Sequence, residues 1–358
     1  MNSESKIRSA EAFTFSSSVG DDVWHSRKHP KAYEWWYFDA LSDDGNEAVI
    51  IVFLDNFIYS PRYNRIRGES ADRFPAVSFT YFRDGKPLYR SVAEFPQDEF
   101  SADKQSPGCV IGGCSFKFDS ASYGSGYSVT IDMKLSGDRK LIAAFEWLSV
   151  ESNFAPQTTS INESSHMWNM VAPRSDVSGR ITVYDKKGRE KDVRHFRGTG
   201  YHDHNIDDRW LAKTIRDWHW GRAHFADATA VFYRYCELGD DSPSTKLLII
   251  KDGQLTERNV QYEEQNYVRD KFGIRYPTRL RLISDDDVRL RVKPLKVIDS
   301  SFYYLRFLSE ITLSMPGESP HTITGITEFL APKSLKYRWL NWISDIRIGK
   351  NGKGPLLS

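Results

Sequence analysis

The hexapeptide Gly-Tyr-His-Asp-His-Asn, just past the middle of the chain, concentrates ionisable and hydrogen-bonding side chains. If it is a strand, Tyr201, Asp203 and Asn205 share one face, and His202 and His204 share the other. A carboxyl group in an aromatic-lined cavity loses hydration, which raises its pKa and keeps it protonated near neutral pH. We therefore predict that Asp203 is a general acid and that Tyr201 and Asn205 orient it or an incoming water molecule.

The same hexapeptide supports two other interpretations. Asp203 could cap a turn or pair with Arg197 or Arg209, since buried charges are usually paired. His202 and His204 could present two imidazoles to a metal ion, as His-x-His pairs do in β-barrel metalloenzymes. The further ligands would then be drawn from Asp207, Asp208, His219 and His224. Because a His-x-His pair without a third ligand at a recognisable spacing is a weak signal, we predict no metal and no other cofactor.

Two further segments place aromatic rings beside ionisable side chains, Tyr-Glu-Trp-Trp-Tyr-Phe-Asp from residue 33 and Arg-Asp-Trp-His-Trp from residue 216. Paired indoles usually fill the core of a wide barrel, but where they line a cavity each ring can stabilise a developing carbocation by about 0.5–2 kcal/mol. An acid with aromatic walls indicates cation chemistry on an apolar substrate. The candidate substrate-binding residues are Glu34, Trp35, Trp36, Tyr37, His166, Trp168, His202, His204, Trp218, His219 and Trp220.

The composition is that of a globular protein with no electrostatic preference for its partner. Of the 358 residues 40% are hydrophobic and 14% aromatic, and 49 basic against 48 acidic residues leave a formal charge of +1. We therefore expect an apolar small-molecule substrate and no nucleic acid. No nucleophile elbow occurs and no glycine-rich phosphate loop precedes a helix, which disfavours acyl transfer and nucleotide chemistry.

Cysteine usage and the start of the chain predict a cytoplasmic protein. Cys109, Cys114 and Cys236 are too few and too scattered for a disulfide framework, and their odd number leaves at least one thiol free. The first residues lack the apolar core of a secretory signal, and no stretch approaches the roughly 18 apolar residues of a membrane-spanning helix.

Hydrophobic residues recur with a period of two over most of the chain, which predicts strands. Residues 127–135 alternate strictly, and similar segments are separated by Asp-Gly and Lys-Gly turns. We predict an all-β fold in two consecutive domains, residues 1–190 and 191–358, each a barrel or sandwich of ordinary size. The stretch 101–126, rich in Gly, Ser and Pro, is predicted to be a loop region.

One segment near the C-terminus has helical periodicity. Leu335, Trp339, Trp342 and Ile346 lie at i, i+4, i+7 and i+11, which predicts an amphipathic helix. Packing against a barrel is the ordinary role of such a helix. The alternative is that the basic face of this helix contacts a membrane surface. In that case the cytoplasmic protein would be membrane-associated.

These segments also resemble the lipocalin-like proteins grouped around carotenoid 1,2-hydratase (hydroxyneurosporene synthase) and the AttH-like proteins. The resemblance spans nearly the whole chain and rests on Glu34-Trp35-Trp36-Tyr37, on residues 166–174, 200–205 and 216–223, and on Thr327-Glu328-Phe329-Leu330. It implies two consecutive lipocalin-like β domains with a ligand cavity, no cofactor and an apolar polyene or polyketide substrate. Hydratases of this type protonate an isolated double bond and add water to the resulting cation, and the match to Gly-Tyr-x-Asp-x-Asn places that role on Asp203.

Three functions are therefore open from the sequence. The first is an acid-catalysed hydratase or cyclase that protonates an alkene of an isoprenoid or other polyene. The second is a pericyclase, since related fungal proteins of similar architecture are Diels-Alderases, in which binding the substrate in its reactive conformation supplies most of the acceleration. The third is a non-catalytic lipid or pigment carrier, which needs apolar walls but no acid.

Overall fold

A computed structural model of the chain describes residues 13–66, 72–122, 124–155, 166–240, 243–337, 345–351 and 353–356. Most of these residues lie in strands, and the helices are few and short. The strands are β1 (Phe13–Ser16), β2 (Tyr33–Ser42), β3 (Glu47–Leu54), β4 (Ala76–Arg83), β5 (Lys86–Glu94), β6 (Phe100–Ala102), β7 (Gly108–Ile111), β8 (Cys114–Ala121), β9 (Gly124–Lys134), β10 (Lys140–Glu151), β11 (His166–Tyr184), β12 (Glu190–Asp207), β13 (Ile215–His224), β14 (Ala228–Glu237), β15 (Ser244–Lys251), β16 (Gln254–Arg258), β17 (Val260–Arg269), β18 (Arg275–Ser284), β19 (Arg289–Ser300), β20 (Tyr304–Ser314), β21 (His321–Leu330) and β22 (Gly349–Lys350). The helices are α1 (Pro61–Arg65) and α2 (Leu211–Thr214), with 3-10 turns at Gln97–Glu99, Ser136–Asp138 and Pro332–Lys336.

The first sheet contains the N-terminal half of the chain and a short return from the C-terminus. Its described strands run in the order β22-β5-β4-β3-β2-β12-β11-β10-β9-β8-β7-β6, and β1 pairs in parallel with β11. The sheet is curled, and the alternate residues of β9 point into its apolar interior. The long strands β11 and β12 lie in the middle of the order, and every residue from 200 to 207 on β12 is buried.

The second sheet is built from β13 to β21 and is antiparallel throughout these strands. Their order is β16-β15-β14-β13-β21-β20-β19-β18-β17. This sheet also curls around an apolar interior, in which Phe232, Leu247, Leu282 and Ile311 pack together. The central strands β13 and β21 carry their other face toward the first sheet.

A third core lies between the two sheets and is rich in aromatic rings. The first sheet contributes Trp35 and Trp168, and the second contributes Trp218, Trp220 and Tyr233. Aromatic side chains each bury about 150–250 Å² and so dominate the energetics of such a core. This shared core therefore brings side chains from distant parts of the chain into contact.

The structure confirms the predicted all-β, lipocalin-like architecture of two curled sheets. The period-two segment at 127–135 forms β9, and the Asp84-Gly85 pair forms the two-residue turn between β4 and β5. Both turn residues have positive φ, 52° and 66°, which favours Asp and Gly at these positions. The predicted loop at 101–126 is wrong, because β7, β8 and the start of β9 form short hairpins there at the edge of the first sheet.

The chain changes sheets between Asp207 and Ile215, where the short helix α2 connects β12 to β13. The predicted division into domains at 190 and 191 falls at the start of β12, which pairs with β2 and β11 of the first sheet. The prediction therefore assigns β12 to the second domain, whereas its strand partners lie in the first sheet.

The predicted C-terminal helix falls mainly on residues 338–344, which lie outside the described residues. Before them, Pro332–Lys336 forms a 3-10 turn in which Leu335 is buried. After them, β22 pairs in parallel with β5. In the described part of the chain, no helix has the length and apolar character needed to cross a membrane.

Candidate active site

Strand β12 carries the predicted catalytic side chains, and its neighbours β2 and β11 carry predicted substrate-binding side chains, onto the face that meets the second sheet. β2 and β12 pair with Asp203 opposite Tyr37 and with Asn205 opposite Trp35. On the other side of β12, Trp168 of β11 lies opposite Asn205. Because directly opposed residues point to the same side of a sheet, these five side chains share one face.

The Asp203 carboxyl group is buried among neutral hydrogen-bond donors. Its Oδ2 accepts from the Tyr201 hydroxyl at 2.8 Å and from the Trp168 indole N–H at 3.1 Å, and its Oδ1 accepts from the Asn205 amide at 2.9 Å. Burial raises the pKa of Asp203 to about 8, although the hydrogen bonds from Tyr201 and Trp168 act in the opposite direction. The carboxyl group therefore keeps its proton at neutral pH, as a general acid requires.

The two arginines that could have neutralised Asp203 have other partners. Arg209 donates to Asp207 Oδ2 at 2.9 Å, and Arg197 lies 3.8 Å from Asp43 Oδ2. No cationic side chain of the described residues forms an ion pair with Asp203. The alternative in which this carboxyl group is half of a salt bridge is therefore not supported.

A chain of hydrogen bonds leads from Asp203 to the second sheet. The Asn205 side-chain oxygen is 3.2 Å from His166 Nε2, and the Tyr233 hydroxyl is 2.9 Å from the same nitrogen. Burial lowers the pKa of His166 to about 4, so its ring is uncharged at neutral pH. Tyr233 occupies an ordinary alternating position on β14, so nothing in the sequence marks it as a site residue.

The second sheet supplies an aromatic wall opposite Asp203. The Trp218 ring centroid lies 5.9 Å from that of Trp35, and Trp220 packs edge-on against Tyr37 at 5.5 Å. Trp220 also lies 5.0 Å from the ring of Tyr201, the residue that donates to Asp203. The structure thus brings these predicted substrate-binding rings together beside the candidate acid.

A cleft opens between the sheets next to this aromatic wall. Its apolar walls include Trp35, Tyr37, Leu54, Phe57, Val92 and Trp218. Its polar side carries Arg306 and Glu328, joined by a 2.7 Å bond from Nε to Oε1, with Tyr304 beside them. No local pattern marks Arg306 or Tyr304, and Glu328 is marked only as part of a matched motif, because these side chains meet through the pairing of β20 with β21 and the packing of the two sheets.

Four of the predicted substrate-binding residues lie on the opposite face, in the interior of the first sheet. They are Glu34, Trp36, His202 and His204. Successive strand residues point to opposite sides, so these four cannot share a surface with Asp203. The carboxylates of Asp22 and Glu34 raise the pKa of His204 to about 9, although burial acts in the opposite direction.

The alternative metal set also fails to converge. His219 lies on the far face of β13, where its Nδ1 is 2.7 Å from the Tyr262 hydroxyl, and His224 Nε2 is 2.7 Å from the Pro173 carbonyl oxygen. Asp207 shares the face of Asp203 and not that of the histidine pair. The predicted site residue His219 is therefore separated from the candidate active site by its own strand.

The sequence is similar to a family model and to several described proteins. A family model described as carotenoid hydratase CrtC matches residues 150–354, which is more than half of the chain. A protein described as hydroxyneurosporene dehydrogenase from Chlorobaculum tepidum is 26% identical over 92% of this chain and 91% of its own length. A protein described as acyclic carotenoid 1,2-hydratase from Rubrivivax gelatinosus is 28% identical over 57% of this chain, which spans about half (48%) of that relative.

Solved structures with little sequence identity share the fold. A crystal structure of CghA with Sch210972 superposes with a TM-score of 0.61 at 13% identity and covers 85% of this chain and 89% of that one. A putative AttH from Nitrosomonas europaea superposes with a TM-score of 0.59 at 14% identity and covers 87% of this chain and 95% of that one. At this level of identity the likeness concerns the arrangement of the strands.

Proposed function

Because the chain belongs to the carotenoid hydratase CrtC family, we propose that it is an enzyme that protonates an alkene of an apolar polyene or isoprenoid and then adds water or closes a ring. The observation that carries the proposal is the Asp203 carboxyl group, which is buried among neutral donors and protonated at neutral pH. The relative described as an acyclic carotenoid 1,2-hydratase supports hydration as the reaction.

The hydrogen bonds around Asp203 indicate which of its oxygens holds the proton. Oδ2 already accepts from Tyr201 and Trp168, whereas Oδ1 contacts only the Asn205 amide among the described residues. Both lone-pair directions of Oδ2 are thus used, and we assign the proton to Oδ1. Asn205, bonded in turn to His166, fixes the orientation of that oxygen.

Asp203 is not itself among the residues that line the cleft, but it lies directly opposite Tyr37, which is one of them. In the proposed reaction the alkene reaches past this wall to Asp203, and the Oδ1 proton forms a new C–H bond at the less substituted alkene carbon. The electron pair of the double bond makes that bond and leaves a tertiary cation on the other carbon. The rings of Trp35, Tyr37 and Trp218, which line the cleft, stabilise the cation through their faces. Water then forms the C–O bond and returns a proton to the Asp203 carboxylate, so that the net change is addition of one water molecule.

Asp203→Asn tests the role of the acid. The amide keeps an oxygen for the Tyr201 and Trp168 donors but supplies no acidic proton, so we expect kcat to fall by about 10²–10⁴-fold with little change in polyene affinity. Asp176→Asn, on the exposed part of β11, is the matched control and should leave kcat unchanged. The kcat of both variants is measured by product formation from a panel of acyclic carotenoids. Near-normal turnover by Asp203→Asn would refute the proposal.

Pericyclic closure is the second candidate, and the polar side of the cleft favours it. The Arg306 guanidinium is buried beside Tyr304 and could polarise a substrate carbonyl oxygen. Reaction in D₂O separates the two chemistries, because alkene protonation places deuterium at a new C–H bond and cycloaddition places none. Deuterium-free product would favour the pericyclase.

A further inference from the structure

The interior of the first sheet holds a second cluster of ionisable side chains, which the proposed reaction does not use. His204 of β12 and Glu34 of β2 lie there, and His25 reaches them from the irregular segment between β1 and β2. His25 Nδ1 is 3.2 Å, and His204 Nε2 is 3.3 Å, from the same atom, Glu34 Oε2. One ligand atom from each residue lies within 4.8 Å of the other two.

These separations suit a tetrahedral zinc ion. Zinc lies about 2.0–2.2 Å from imidazole nitrogen and carboxylate oxygen, which places neighbouring ligands about 3.4 Å apart. Two histidines and a glutamate form a known zinc ligand set, with water in the fourth position. His204 Nε2 is fully buried and has no hydrogen bond of acceptable geometry to a described residue, so an ion that displaced its proton would find a lone pair with no competing partner.

The surroundings of His204 also suit a metal ligand. Its Nδ1 faces Asp22 Oδ1 at 3.3 Å, and metal-bound histidines usually present their second nitrogen to a carboxylate in this way. Asp22 is itself held by the Tyr127 hydroxyl at 2.7 Å and lies 3.0 Å from His202 Nε2. The ring of Trp36 stacks on His204 with centroids 4.6 Å apart, which fixes the plane of the imidazole.

The charge of the cluster favours a dication. The Asp22 and Glu34 carboxylates are fully buried, and neither has a lysine or arginine partner among the described residues. Burying charge without compensation is costly, and one zinc ion with neutral imidazoles balances both carboxylates. A proton on His204 alone would balance only one of them, although Asp22 also faces His202 and Glu34 also faces His25.

We propose that His25, Glu34 and His204 bind a zinc ion that fastens the segment between β1 and β2 to the interior of the first sheet. His25 is the ligand nearest to solvent, with 16% of its side chain exposed, and so gives the ion a route of entry. Binding requires an unprotonated His204, and zinc affinity should therefore rise with pH.

Zinc titration of the full chain, after removal of metals with EDTA, tests the site by bound metal and melting temperature. We expect one zinc ion per chain and a higher Tm with zinc. His25→Ala should abolish stoichiometric binding, and Asp22→Asn, which keeps all three ligands, should weaken it by about 10–100-fold. His195→Ala, an exposed histidine on β12, is the control and should bind zinc as the unchanged protein does.

Cobalt(II) gives a second measurement that needs no variant. A site of this geometry should give the intense visible bands of tetrahedral cobalt, and zinc should abolish them. Absence of these bands, absence of zinc binding, or equal binding by the unchanged protein and His25→Ala would overturn the proposal. So would a melting temperature that depends on pH but not on zinc, because a proton would then be the sole occupant of the cluster.

Discussion

At the scale of single residues, two buried aspartates show how surroundings set the protonation state. Asp203 accepts hydrogen bonds from neutral groups, and burial raises its pKa to about 8. Asp22 is also fully buried, but the charge and hydrogen bonds of His202 and His204 outweigh burial and lower its pKa to about 2. One carboxyl group is thus available as an acid, whereas the other remains an anion that orients its neighbours.

The pH dependence of activity should report the Asp203 proton. The protonated form is the active one, so kcat/KM should be constant below the pKa and fall as pH rises through about 8. Tyr201→Phe removes a hydrogen bond that favours the carboxylate, and the descending limb should move to higher pH. Profiles of kcat/KM between pH 5 and about 10 for both proteins measure this displacement. A descending limb that moves to lower pH in Tyr201→Phe would contradict the assignment of the limb to Asp203.

At the scale of elements, a buried ion pair joins the two sheets behind the aromatic wall. Arg222 of β13 donates from Nε to Asp39 Oδ1 on β2 at 2.9 Å, and its Nη2 donates to the same oxygen. The Tyr37 hydroxyl donates to Asp39 Oδ2 at 2.9 Å, so both carboxylate oxygens have partners. The pair therefore fixes β13, and with it Trp220, against β2.

Arg222→Ala should destabilise the protein because it leaves Asp39 buried without its cation. We expect a loss of about 3–5 kcal/mol in the free energy of unfolding. Arg281→Ala is the matched control, since its pair with Glu263 is exposed and should contribute at most about 1 kcal/mol. Urea denaturation measures both variants, and equal losses would show that Arg222 contributes no more than a surface charge.

At the scale of the whole molecule, the core between the sheets makes each sheet dependent on the other. Trp35 and Trp168 would be exposed without the second sheet, and Trp218 and Trp220 without the first. Exposure of so much aromatic surface is unfavourable. Residues 1–190 and 191–358 should accordingly unfold together and not as independent domains.

Urea unfolding should therefore show one transition, with coincident midpoints by tryptophan fluorescence and by circular dichroism. Ile131→Val in the first sheet and Ile249→Val in the second each remove one buried methylene and should cost about 0.5–1.5 kcal/mol. Both variants should move the midpoint of this single transition to lower urea concentration. Two separated transitions, each sensitive to one variant only, would contradict this prediction.

The sequence by itself determined the local geometry of the candidate site. Period-two alternation is a property of each strand, so the common face of Tyr201, Asp203 and Asn205 could be predicted without knowing its neighbours. The same alternation predicted that His202 and His204 point to the opposite face of β12. Two-residue turns such as Asp84-Gly85 were equally predictable, because positive φ restricts the residues that can form them.

Only the tertiary structure decided what covers each face. Alternation does not say which face meets another sheet, so the candidate list mixed Trp35 with Trp36 although they lie on opposite sides of β2. Tyr233 reaches the site through the packing of one sheet on the other, and His25 approaches Glu34 from an irregular segment that has no period. Such contacts depend on strand order and on packing between distant parts of the chain, which no local pattern encodes.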